Sequence, residues 1–228
     1  QQEHLNARLQ ELRGMRRGNV HLMISEGFID SLMEHVVGPF CIEHPRINIS
    51  VNVGSVNEVV EAVASDAAHI GLAYNPPVDP RLRCRASRKH PVCLLAARDH
   101  ALARRRAPLT IADILPYPFA LMSAPYGLRQ AVDLLEFTAR IHLTPSLTTN
   151  SLRVLKQYAI SGAGVTLMPN LGVHHELASG ELVALPIAHP ILSAPECQML
   201  LRLGRPLSSA ANEVVRRIEQ RLPAFAAP

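Results

Sequence analysis

The chain has 228 residues, 48% of them hydrophobic but only 4% aromatic and none Trp, so aliphatic side chains must fill a core big enough for one large domain or two small lobes. No window approaches the roughly 18 unbroken apolar residues of a membrane span, and residues 1–17 are polar where a signal peptide would be apolar, which argues against membrane and exported classes. The formal charge is +4, but the densest basic run, Arg104-Arg105-Arg106, has no interleaved aromatics and reads as a solvated loop rather than a nucleic-acid surface.

The chain opens at Gln1 rather than Met, as a piece of a longer protein would. Leu5, Leu9 and Leu12 put one apolar stripe on a short helix that Gly14 weakens. From residue 20 the pattern alternates. Residues 20–24 read as a strand. Residues 28–43 read as a helix with Ile29, Leu32, Met33, Val36, Val37 and Phe40 on one face, stopped by Pro45. Residues 47–53 have the strict period of two that marks a strand. Ser55 and Glu58 then form a capping box, heading a helix to about residue 65. Residues 69–73 complete a strand-helix-strand-helix-strand series, which implies a parallel sheet with helices on its faces.

After Asn75-Pro76-Pro77, residues 82–85 and 92–97 read as strands, and the β-α rhythm then restarts. A short helix opens at Thr110, with strands at 118–122, 146–149 and 165–168. Helices are expected at 128–141, at 152–161 capped by Asn150 or Ser151, and at 171–178. Strands at 182–185 and 198–203 and an amphipathic helix at 208–222 close the chain. The order suggests two similar α/β units, the second inserted into the first.

Nothing here marks catalysis. There is no Ser-His-Asp order, no paired carboxylates and no Walker-type loop. Gly162 and Gly164 precede a strand rather than a helix, so they shape a turn and do not cradle phosphate. His174-His175-Glu176 hints at a metal, but adjacent helical residues point about 100° apart, and polar side chains facing solvent are the better reading. Cys41, Cys84, Cys93 and Cys197 lack any C-x-x-C or zinc-like spacing. Free thiols fit a reducing cytoplasm, with a Cys84–Cys93 redox pair as the weaker alternative.

The segments together resemble the effector-binding domain of the LysR-type transcriptional regulators, over nearly the whole chain. Gly14-Met-Arg-Arg-Gly18 is similar to the family's join between linker helix and sensor. Phe40-Cys-Ile-Glu-His-Pro45, Gly54-Ser55 and His69-Ile-Gly-Leu-Ala73 resemble its first-lobe motifs. Asp99-His-Ala-Leu-Ala103 departs from its loop by Ala101 where Pro is usual. Asn150-Ser-Leu152, Gly162-Ala-Gly-Val-Thr-Leu-Met-Pro169 and Glu176-Leu-Ala-Ser-Gly-Glu-Leu-Val183 resemble the second-lobe motifs. Each is weak alone; their order carries the resemblance.

The resemblance implies two Rossmann-like lobes joined by a hinge, the type 2 periplasmic-binding-protein-like fold. Residues 1–17 would be the end of a linker helix, 18–97 with 195–228 the first lobe and 98–194 the second. The family's winged helix-turn-helix is absent from this chain, so DNA is expected as a partner only through the intact protein. The resemblance also implies a homodimer, or a tetramer in the intact protein, no catalytic residues, no cofactor and no metal. A periplasmic solute-binding protein shares the fold and is the runner-up reading. Ligand-contacting positions carried over are Ser25, Glu26, Gly27, Phe28, Ser55, Tyr74, Asn75, Ser123, Tyr126, Gly127, Met168 and Pro169. The effector is expected to be a small carboxylate, zwitterion or aromatic metabolite. Glu26 and Asp30 disfavour a purely anionic ligand if either faces the crevice.

Overall fold

The computed structural model describes residues 18–105 and 107–225. The Leu5, Leu9, Leu12 stripe, the junction before Gly18, and Arg106 of the basic run lie outside the described residues.

In chain order the first strands are β1 (Gly18–Ile24), β2 (Ile47–Val53), β3 (Ile70–Tyr74), β4 (Leu82–Lys89) and β5 (Val92–Ala97). They are followed by β6 (Phe119–Met122), β7 (Leu147–Thr149), β8 (Val165–Pro169), β9 (Leu182–Pro186) and β10 (Glu196–Arg202). They form two five-stranded sheets, ordered β2-β1-β3-β10-β4 and β7-β6-β8-β5-β9. β1 pairs in parallel with β2 and β3, and β6 with β7 and β8, as helical crossovers demand. β10 runs antiparallel between β3 and β4, and β5 antiparallel between β8 and β9.

The chain therefore crosses between sheets twice, between β4 and β5 and again between β9 and β10. Residues 92–97, expected in the first lobe, are a central strand of the second sheet. The apolar run Val92-Cys-Leu-Leu-Ala96 fits a central strand of either sheet, and composition alone could not assign it.

Buried strands read as expected. β3 and β8 are buried along their whole length, because helices or the other lobe cover both faces. β1 alternates, with Val20, Leu22 and Ile24 inward. One contiguous apolar core runs through both sheets, from Val20 to Ala224. Phe28 and Phe40 are fully enclosed, each burial worth roughly 1.5–3 kcal/mol.

The first helix is not a simple α-helix. A 3-10 turn (Glu26–Phe28), an α-turn (Ile29–Leu32), a π-turn (Met33–Val37) and an α-helix (Gly38–Glu43) follow one another without a break. The cause is Gly38-Pro39. Pro39 has no N–H to give and would crowd the carbonyl four residues back, so the turn before it widens. Gly38 N–H then donates to the Met33 carbonyl, and a Cβ on Gly38 would stand 2.7 Å from that oxygen.

Two other local expectations hold in detail. Glu58 Oε2 accepts from Ser55 N–H at 2.7 Å and Ser55 Oγ accepts from Glu58 N–H at 3.3 Å, closing the capping box. The Ser55 bonds pull the Glu58 carboxyl below its ordinary range. Gly162 has φ +75°, while Gly164 lies where any side chain would run into the Pro118 carbonyl and Tyr158. No helix of the described residues is long and apolar enough to cross a membrane.

Candidate ligand-binding site

The carboxyl ends of β1, β3, β6 and β8 converge on one crevice between the sheets, the place where open α/β sheets receive ligands. Ser25 follows β1, Tyr74 ends β3, Met122 ends β6 and Pro169 ends β8. Together with Glu26, Gly27, Tyr126, Gly127, Leu128, Leu152 and Leu171 they line a narrow cleft with a cavity volume of about 40 Å³.

The cleft is shut by contacts between the lobes. Glu26 reaches from the first lobe to the start of the Leu152–Ile160 helix in the second. Its carboxylate accepts from Leu152 N–H at 2.7 Å, Arg153 N–H at 3.3 Å and the Ser151 hydroxyl at 3.1 Å. These donors are the helix's unpaired amides and its positive dipole end, so Glu26 acts as a capping carboxylate supplied from the other lobe. On the opposite flank Asn75 Nδ2 donates to the Gly127 carbonyl at 3.1 Å. A Cβ on Gly127 would overlap the Tyr74 carbonyl oxygen, so only glycine allows this approach. Gly172 (φ +76°) stacks its backbone on Gly27 in the same way.

The polar groups left for a guest are few. Ser25 makes no capping bond with its side chain. The Gly127–Ala139 helix begins at Tyr126 without a side-chain cap, so its first amides are available where Gly127 and Leu128 line the cleft. Tyr74 OH donates to the His90 carbonyl at 2.8 Å, and burial pushes its phenol far above the usual range. Burial also raises the Tyr126 phenol, with the Glu58 and Glu26 carboxylates adding to it. Both stay neutral at physiological pH. The other walls are Met122, Leu128, Leu152, Pro169 and Leu171, all apolar.

Of the residues expected to touch ligand, Ser25, Glu26, Gly27, Tyr74, Tyr126, Gly127 and Pro169 line this cleft. Asn75 stands beside it as a lobe-to-lobe bond. Ser55 is nearly enclosed and spent on its capping box. Ser123 is outside the lining and serves the turn before the helix, its N–H on the Thr149 carbonyl. Phe28 and Met168, also expected to touch ligand, are fully buried and stand outside the cleft lining. Phe28 packs into the first lobe, its ring 6.2 Å from that of Phe225. Met168 points away from the face that its strand neighbour Pro169 presents. Asp30 faces an outer groove with Arg153 and Lys156, not the cleft. Met122, Leu128, Leu152 and Leu171 were missed, although each sits at or just after a strand's carboxyl end. The strand-end rule, applied to every strand, finds them.

The profile of the LysR substrate binding domain family matches residues 13–223. Among known proteins, the chain is 22% identical over 186 residues to the HTH-type transcriptional activator CmpR of Synechocystis, covering 81% of this chain and 60% of that one. It is 24% identical over 190 residues to a RuBisCO operon transcriptional regulator of Acidithiobacillus ferrooxidans, covering 81% and 59%. It thus spans about 60% of the length of these relatives. Among solved structures, the regulatory domain of Synechocystis CcmR in complex with 2-PG superposes with a TM-score of 0.76 at 20% identity, covering 88% of this chain and 95% of that one. The effector binding domain of QuiR in complex with shikimate superposes with a TM-score of 0.73 at 16% identity, covering 92% and 96%. The fold is that of such domains, the type 2 periplasmic-binding-protein-like architecture.

Proposed function

The chain belongs to the LysR substrate binding domain family, and from that premise we propose that it is the effector-sensing part of a bacterial transcription regulator. A small molecule binds between the lobes, and the intact protein relays the change to a DNA-binding domain outside this chain. The observation that carries the reading is the cleft itself. It lies at the strand ends of both sheets and is lined by apolar side chains around a few unspent donors.

The donor set selects the ligand class. Glu26 already fills the amides of the Leu152–Ile160 helix. The Gly127–Ala139 helix start and the Ser25 hydroxyl remain, suited to one carboxylate or similar acceptor on a compact apolar body. We therefore favour a small organic acid. Within the cleft Glu26, Tyr74 and Tyr126 are the ionisable groups, one capped by amides and two held as neutral phenols. None is placed as a nucleophile or free base, which supports binding without turnover.

The ligand acts through the lobes. Residues 18–89 with 195–225 move as one regulatory lobe and 92–194 as the other, and a ligand that fits only one arrangement shifts the population toward it. Exposed Ile42 and Val53 on the first lobe and Leu134 and Phe137 on the second are the apolar surface expected to meet a second copy in a homodimer. A thermal-shift screen of small organic acids tests the ligand class. A hit that raises the unfolding temperature of the chain but not of a Ser25→Leu variant supports the cleft; failure of every acid opposes it.

A further inference from the structure

Glu34, His174 and His175 come together at the seam between the lobes, with one donor atom from each lying within 4.8 Å of the others. Glu34 belongs to the π-turn of the first lobe, and the two histidines open the His174–Ser179 helix of the second. Adjacent residues of a regular helix diverge by about 100°, but these two do not. His174 is the first residue of a six-residue helix entered from Val173 at φ −126°, and the two imidazole rings lie 3.9 Å apart, tilted by 42°. They share one side.

We propose that Glu34, His174 and His175 bind a divalent first-row transition-metal ion that pins the two lobes to each other. The donor set is two imidazoles and a carboxylate, the chemistry of zinc, nickel, cobalt or copper rather than of magnesium or calcium, which prefer oxygen alone. Bonds of about 2.0–2.2 Å put tetrahedral donors roughly 3.3 Å apart, so rotamer-scale movement of exposed side chains closes the site, with water in the fourth position. Among the described residues neither the His174 nor the His175 side chain has a hydrogen-bond partner, so each ring can present one lone-pair nitrogen to an ion. Glu34 Oε2 lies 3.9 Å from His35 Nε2. The nearby Lys156 is already paired with Glu176 at 2.6 Å and does not compete for Glu34.

The π-turn links the site to the sequence. Gly38-Pro39 forces an extra residue into that turn, which rotates the residues before it by about 100° relative to a continuous α-helix. Glu34 lies within this turn. An ion held there favours whichever lobe arrangement brings the donors within bonding distance. This consequence, though not the site, rests on the reading that the lobes move.

The test uses the chain without an affinity tag, stripped with chelator and free of any organic effector. Calorimetric titration with Zn²⁺ is expected to show one saturable site, with no heat from Mg²⁺. His174→Ala and Glu34→Gln, each with an unchanged circular-dichroism spectrum, are expected to weaken Zn²⁺ at least tenfold, while His142→Ala leaves it unchanged. Absence of saturable binding overturns the site. Undiminished binding by Glu34→Gln overturns the bridge between lobes. Since no effector is present, neither result bears on ligand binding in the cleft.

Discussion

Glu26 Oε2 accepts the backbone N–H of Leu152 at 2.7 Å, joining a loop of the first lobe to a helix start of the second. The bond turns an anion-binding position into an internal fastening. A negative side chain of the protein sits where a ligand anion would otherwise be drawn, and the lobes close on themselves.

Replacing Glu26 by Ala removes the acceptor for Ser151, Leu152 and Arg153 together. The loss of a capping carboxylate predicts destabilisation of about 1–2 kcal/mol. It also predicts a larger radius of gyration, because the fastening lies between lobes. Glu26→Gln, which keeps one acceptor oxygen, is expected to fall between. Denaturant unfolding and small-angle scattering check both parts. An Ala variant as stable and as compact as the parent contradicts the account.

Two glycines differ in why they are needed. Gly127→Ala drives a methyl into the backbone of Tyr74 and Asn75, neither of which can yield, so the lobes must part. Gly162→Ala meets open space but keeps a left-handed φ, costing about 1–2 kcal/mol of local strain. Scattering should show expansion for the first and not for the second.

The first lobe carries an acid-sensitive pair. His69 Nδ1 accepts the His21 backbone N–H at 3.1 Å, and the two rings are 5.0 Å apart. Burial lowers the His69 pKa below its ordinary 6.5, with the neighbouring His21 adding to it. The unfolded chain therefore binds this proton more readily than the folded one. Stability is full above pH 6.5 and falls as the pH drops from there through the folded value. His69→Asn, which retains an acceptor without the titration, is expected to flatten this slope in unfolding measured from pH 7.5 to 5.

The thiols are expected to react in order of exposure. Cys41 and Cys84 are exposed, Cys93 is half-buried and Cys197 is enclosed. Burial raises the Cys84, Cys93 and Cys197 thiols, which opposes a resting thiolate and with it the Cys84–Cys93 switch. Titration with a disulfide reagent should modify Cys41 and Cys84 first and Cys197 only on unfolding. Fast reaction at Cys93 would contradict this order.

The elements were legible because their signals are local. The period of two in residues 47–53, the Ser55–Glu58 box and the turn at Gly162 each depend on neighbours in sequence, and each appears as read. What was not legible depends on distant partners. An apolar run such as Val92–Ala97 pairs equally well in either sheet, so composition does not assign it to one. Asn150 or Ser151 was read as capping the helix at 152–161; Ser151 is the N-cap residue, but its hydroxyl donates to Glu26, and the acceptor for the Leu152 N–H comes from 126 residues away in sequence. Phe28 and Met168 were expected at the cleft by position in a motif, and helix and strand phase turn both side chains into the core. The cluster of Glu34 with His174 and His175 joins residues 140 positions apart across the two lobes, which no local pattern in the sequence reveals.

The central claim is that a small organic acid occupies the cleft between Ser25 and the start of the Gly127–Ala139 helix. The direct measurement is a calorimetric titration of an acid found by screening, run against the chain and against Ser25→Leu with an unchanged circular-dichroism spectrum. The account predicts saturable binding to one site in the chain and at least a tenfold loss in the variant, whose added side chain fills the cleft. Equal affinity in both would place the ligand elsewhere and contradict it.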